Sequence, residues 1–143
     1  MPSLTRRLGT TGAVMALAAS GLLFGTASPA SAAAGCYGPE CNGRNPADTS
    51  CANDARTIDT TWTQVELRYS PSCRAAWARR VGGINGGTDT LWVENSKGTA
   101  YSVDVPSNAS GNYFTAMVDD KDLWARACDN LGSDGGYNCT SKY

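Results

Sequence analysis

Six cysteines and no histidine constrain this chain more than any other feature. All six, Cys36, Cys41, Cys51, Cys73, Cys128 and Cys139, lie after an apolar N-terminal run. An even cysteine count behind export features predicts three disulfides, which let a small domain fold around a modest core. Spacing alone does not select the pairing. The glycine-rich DNLGSDGGYN between Cys128 and Cys139 favours that pair, because it can fold back on itself. Zinc is the rival use of these thiols. With no histidine, and four residues between the closest cysteines, Cys36 and Cys41, the pattern does not match a structural zinc motif and no metal is expected.

The N-terminus has three parts: Arg6 and Arg7, an apolar run from about Ala13 to Phe24, and small residues at Ala30-Ser31-Ala32. This is the layout of a secretory signal peptide, so residues 1–32 are expected to be cleaved and residues 33–143 to form a single secreted domain. The run is too short for a permanent membrane span. A lesser alternative is lipid anchoring at Cys36, since Ala33-Ala34-Gly35-Cys36 ends like a lipoprotein processing box. Against it, alanine stands where leucine is usual, and a lipidated Cys36 would leave five cysteines to pair.

A mature domain of about 110 residues suits one hydrophobic core. Cleavage removes two of 12 basic side chains and none of the 13 acidic ones, leaving a mildly acidic protein. Nucleic acid is therefore not an expected partner.

Without histidine there is no Ser-His-Asp or Cys-His arrangement. Asp119, Asp120 and Asp122, around Lys121, are the one acidic cluster and the candidates for a small extracellular hydrolase. Neighbouring residues on a strand or turn point in different directions, so a solvated loop is the simpler expectation. DNLGSD, residues 129–134, offers oxygens but lacks the spacing and closing glutamate of a calcium loop. Ser70 and Ser72 have no base nearby, because Arg68 and Arg74 keep their protons. No catalytic residue and no cofactor are expected. A protease inhibitor presenting VGGINGG, residues 81–87, is a further alternative.

The segment from Gly35 to Asp54 is rich in turn residues and poor in anything to bury, which predicts an irregular piece held by disulfides. TIDTTWTQVELRYS then reads as a half-buried strand, with Val65, Leu67 and Tyr69 alternating with polar residues. Ser70 as N-cap and Pro71 in the first turn predict a short helix over CRAAWARR. TLWVENS and TAYSVDV form an expected hairpin around Ser96-Lys97-Gly98, and YFTAMVDD and DLWARACDN are further strands. The expected fold is mainly β, a small disulfide-rich sandwich or partly closed barrel with one short helix.

Arg68, Arg74, Trp77, Arg79, Arg80 and Trp92 are the candidate binding surface, because arginine and tryptophan dominate protein-protein hot spots. The plainer reading puts Trp77 in the core with arginine stems around it. A DNA-recognition helix at this place would be too short and would lack a partner helix.

Cys36-x-Gly-x-x-Cys41, Cys51-Ala52-x-Asp54-Ala55-x-Thr57 and Val65-Glu66-Leu67-Arg68-Tyr69-Ser70-x-x-Cys73-x-Ala75-x-Trp77-Ala78-Arg79 together resemble the YjfA-like domain. Thr115 to Val118, Ala127-Cys128 and Cys139-Thr140 continue the likeness over the mature chain. That family is found in exported proteins of actinobacteria and relatives and has no established activity. The export signal, the missing histidine and the lack of an assembled catalytic set point to a non-catalytic binding or adaptor domain with a protein partner in the extracellular space, and the resemblance implies one such role, a small subunit of a secreted antibacterial particle.

Overall fold

The alternating VELRYS forms strand β2 (Val65–Ser70), with Val65, Leu67 and Tyr69 buried and Glu66 and Arg68 half-buried. A computed structural model describes residues 34–82, 88–131 and 135–143. The expected signal peptide, most of VGGINGG and the end of DNLGSD lie outside the described residues. TIDTTWTQVELRYS is not one strand. Its first part is β1 (Arg56–Thr60), which turns back antiparallel on β2. Thr61 closes the turn: its N-H donates to the Val65 carbonyl (2.8 Å), and its Oγ1 accepts from Val65 N (3.0 Å).

The short helix expected over CRAAWARR does not form. Those residues are strand β3 (Ala75–Val81), and the described residues contain no helix beyond single 3-10 turns. Alanine and arginine have high helix propensity, but position outweighs it here. β2 lies along one edge of β3, while β6 (Asn112–Phe114) and β7 (Val118–Asp119) share the other. A helix would give up both ladders. Pro71 instead sits in the tight β2–β3 turn, where Arg74 takes a left-handed backbone (φ 50°). Asp54 braces that corner, accepting from Ser70 Oγ (2.5 Å) and Ser72 N (2.8 Å), and Ser70 Oγ accepts from Cys73 N (3.2 Å).

The second sheet has the order β5-β4-β8-β9, built from β4 (Asp89–Asn95), β5 (Ala100–Val105), β8 (Ala125–Asp129) and β9 (Asn138–Cys139). The expected β4–β5 hairpin is present, with Gly98 at φ 79° donating to the Asn95 carbonyl. All pairings are antiparallel, and the two sheets face each other as a sandwich rather than closing into a barrel. Val65, Leu67, Ala76, Ala78, Leu91, Val93, Val118 and Ala127 fill the space between them.

A second apolar cluster sits on the opposite face of the first sheet. There Ala75, Trp77 and Met117 pack under Cys36, Cys41, Cys51 and Cys73. These cysteines pair as Cys36–Cys41 and Cys51–Cys73, and Cys128–Cys139 pair as the connecting sequence favours. The N-terminal segment is three 3-10 turns, Gly38–Cys41, Pro46–Asp48 and Ser50–Asn53, lying over the sheet. Backbone bonds fix it there: Gly38 N donates to the Cys73 carbonyl (2.8 Å), Gly43 N to Met117 (3.0 Å) and Met117 N to Arg44 (2.9 Å). β3 is thus covered on both faces over its first half, which accounts for the unbroken burial of Ala75 through Ala78.

Candidate functional site

Where the N-terminal segment stops covering the first sheet, it leaves a groove of about 160 Å³. Pro46, Ala47 and Ala52 form one wall, Trp77 and Phe114 the apolar floor, and Arg68, Arg79 and Asn112 the polar side. Strand alternation puts these residues together. On β2 and β3 Glu66, Arg68, Trp77 and Arg79 all face away from the sandwich core, and Arg68 lies opposite Trp77 while Glu66 lies opposite Arg79.

The two arginines differ in charge balance. Arg79 Nε donates to Glu66 Oε2 at 2.6 Å, a half-buried ion pair. Arg68 donates from Nη1 to Thr57 Oγ1 (2.7 Å) and from Nη2 to the Ala55 carbonyl (2.9 Å), both neutral acceptors, and its buried Nε has no partner. Burial, reinforced by the Arg79 charge, pushes the Arg68 guanidinium below the usual arginine range. It remains a cation at ordinary pH and is held in place by its two hydrogen bonds. The groove therefore offers an apolar floor beside a fixed positive charge.

The remaining candidates lie elsewhere. Arg80 does not belong to a surface: it is 1% exposed, points into the sandwich, and pairs with the buried Asp89 and Asp129. Alternation along β3 sends Arg80 to the face opposite Arg79. Asp129 also accepts from Thr63 Oγ1. Trp77 is 4% exposed, so it serves as floor and core rather than as a projecting anchor. Arg74 pairs at 3.2 Å with the exposed Asp122, outside the groove. Trp92 is half-buried on the outer face of the second sheet.

The acidic residues diverge. Asp119 accepts from Lys121 N at 2.9 Å, and Asp122 is exposed and paired with Arg74 and Lys121. Both border an open depression of about 710 Å³ that Asp120 does not line. Asp120 is buried with Oδ1 unpartnered, and burial pushes its carboxyl up to about 7. Asp119 and Asp122 thus share one depression, while Asp120, the carboxyl that burial pushes up, stands apart from it. Ser70 serves the corner beside Asp54.

The four N-terminal sulfurs lie within 4.8 Å of one another, with Cys36 Sγ 3.6 Å from Cys51 Sγ. Both pairs are oxidised, so they present no free thiolate for a metal. Of the exposed aromatics Tyr37, Trp62, Tyr137 and Tyr143, the two most open are Trp62, 70% exposed in the β1–β2 turn, and Tyr137, 76% exposed just before β9. The Thr-Thr-Trp-Thr context of Trp62 fits a strand as well as a turn, and only its separation from the core alternation at Val65 hinted at exposure.

No curated protein and no solved structure matches this chain. A family described as a protein of unknown function (DUF2690) matches residues 39–128, a span that holds every groove residue. The chain belongs to that family.

Proposed function

We propose that this chain is an exported, non-catalytic binding or adaptor domain whose groove on the first sheet takes a segment of an extracellular protein partner. The observation that carries this reading is the pairing of an apolar floor, Trp77 and Phe114, with the Arg68 cation, which has no carboxylate among its hydrogen-bond partners. A segment that places a small aliphatic side chain next to an aspartate or glutamate complements both. Three disulfides suit an extracellular setting, as does the likeness to YjfA-like domains of exported proteins. Asp120, whose carboxyl is pushed up, does not line the depression that Asp119 and Asp122 border, which weighs against a hydrolase. A place in a secreted antibacterial particle, implied by the same likeness, would use such a groove as the joint between subunits.

Capture from the protein's own culture medium tests the proposal. Ala47 is exposed on the groove wall, so Ala47→Arg fills the groove without disturbing the core. The expected result is a defined partner held by the wild type and by Trp92→Ala, with retention by Ala47→Arg at least about tenfold lower. Equal retention by Ala47→Arg, or no partner at micromolar concentration, contradicts it.

A further inference from the structure

The outer face of the second sheet carries an aromatic corner that the groove does not involve. Trp92 and Tyr137 meet edge to face, with ring centroids 5.0 Å apart and planes at 85°. Glu94 follows Trp92 on the same face of β4, with Arg126 directly opposite on β8. Together these four line an open depression of about 350 Å³. Arg126 Nε and Nη2 both reach Glu94 Oε1, at 2.7 and 2.6 Å. Glu94 Oε2 and Arg126 Nη1 are left with no protein partner in that pair.

The corner is braced from the side. Cys139, two residues after Tyr137, is bonded to Cys128, which lies opposite Trp92 in the ladder. Asn138 Nδ2 donates to Thr63 Oγ1 at 2.5 Å, tying the Tyr137 segment to the turn that presents Trp62. Tyr137 is thus a wide-open ring on a cross-linked support. An aromatic kept exposed in this way is a binding feature more often than a packing one.

Three properties specify the ligand. The charged floor is a matched pair with no net charge, which does not favour a phosphate or a polyanion. β4 is bonded on one side to β5 and on the other to β8, so no edge is free for strand addition at this place. The π faces stand next to a fixed acceptor and a fixed donor a few ångströms apart, which suits a molecule with a flat C-H face rimmed by vicinal hydroxyls. We propose that the Trp92–Tyr137 corner is a saccharide-binding site for pyranose rings with equatorial hydroxyls, as in a β-1,4-linked polysaccharide. The C-H face of one ring stacks on an aromatic, and its rim hydroxyls donate to Glu94 Oε2 and accept from Arg126 Nη1.

This site is independent of the groove on the first sheet, and the test separates the two. Isothermal titration calorimetry of the mature protein with cellohexaose and with chitohexaose reads binding directly. The expected result is saturable binding of at least one probe in the wild type, weakened about tenfold or more in Trp92→Ala and in Tyr137→Ala. Tyr137→Phe keeps the stacking face and stays near wild type, as does Ala47→Arg. Tyr137 is exposed, so its substitution leaves folding intact and guards against a misfolded Trp92→Ala. Absence of saturation with both probes up to about 10 mM, the weak limit of useful affinity, overturns the proposal. Unchanged affinity in Tyr137→Ala does so too, as does a loss of protein capture in Tyr137→Ala without saccharide binding.

Discussion

Removing the Cys51–Cys73 bond by paired substitution to alanine weighs what the N-terminal segment contributes. The bond closes a loop of sequence separation 22, the largest of the three; the others span 11 and 5. Loop-closure entropy of the unfolded chain then gives about 3.4 kcal/mol for this bond, about 2.8 for Cys128–Cys139 and about 2.1 for Cys36–Cys41. With a urea dependence of about 1.5 kcal/mol per molar, loss of the first moves the unfolding midpoint down by about 2 M. Both cysteines must go. Cys73→Ala alone would leave a Cys51 thiolate 3.6 Å from Cys36 Sγ. It could attack there, forming Cys36–Cys51 and releasing Cys41 as the new thiolate. Because this bond ties the Pro46–Ala52 wall to the β2–β3 corner above Trp77, its loss also exposes that indole. The assay is urea unfolding followed by circular dichroism and tryptophan emission, with a red shift before the main transition. An unchanged midpoint refutes the reasoning, and so does a larger loss on removing the Cys128–Cys139 pair.

Two buried ionisable sites give further tests. Arg80→Met leaves Asp89 and Asp129 buried without their cation and costs about 3–5 kcal/mol at neutral pH by denaturant unfolding. A cost below about 1 kcal/mol would contradict the ion-pair account. Asp120 holds its proton up to about 7 in the folded protein against 3.8 normally, so the folded state binds the extra proton between those values. Wild-type stability therefore falls as pH rises from about 4 to about 7. Asp120→Asn is more stable than wild type at pH 8 and no different below about pH 4; thermal melts across that range decide it.

Some of this architecture is readable residue by residue. Val65, Leu67 and Tyr69 alternate because only one face of β2 meets the core, and Leu91 and Val93 point inward while Trp92 points out. β3 is illegible for the opposite reason. From Ala75 to Ala78 both its faces are buried, one under cysteines and one under the second sheet, so that stretch shows no alternation and its small residues resemble a helix. Strand alternation separates Arg79 from Arg80, adjacent in sequence but lying on opposite faces, one at the groove and the other in the core. YFTAMVDD breaks into β6 and β7 because Met117 N turns away to the Arg44 carbonyl. That contact with the disulfide-held segment has no local signature. Proximity of Cys128 to Cys139 followed from the glycine-rich connection, whereas the other two bonds depend on how the N-terminal segment lies over the sheet. The groove wall was hidden in that segment.

The central claim is that the groove beside Arg68 and Trp77 holds a protein partner, and site-specific cross-linking within the capture experiment tests it most directly. A photoreactive residue placed at Ala47, on the groove wall, is predicted to join covalently to the captured partner at a peptide carrying an aliphatic residue beside an acidic one. The same residue at Ser102, on the outer face of the second sheet, should give no adduct with that protein. Adducts from Ser102 and none from Ala47 would contradict the account.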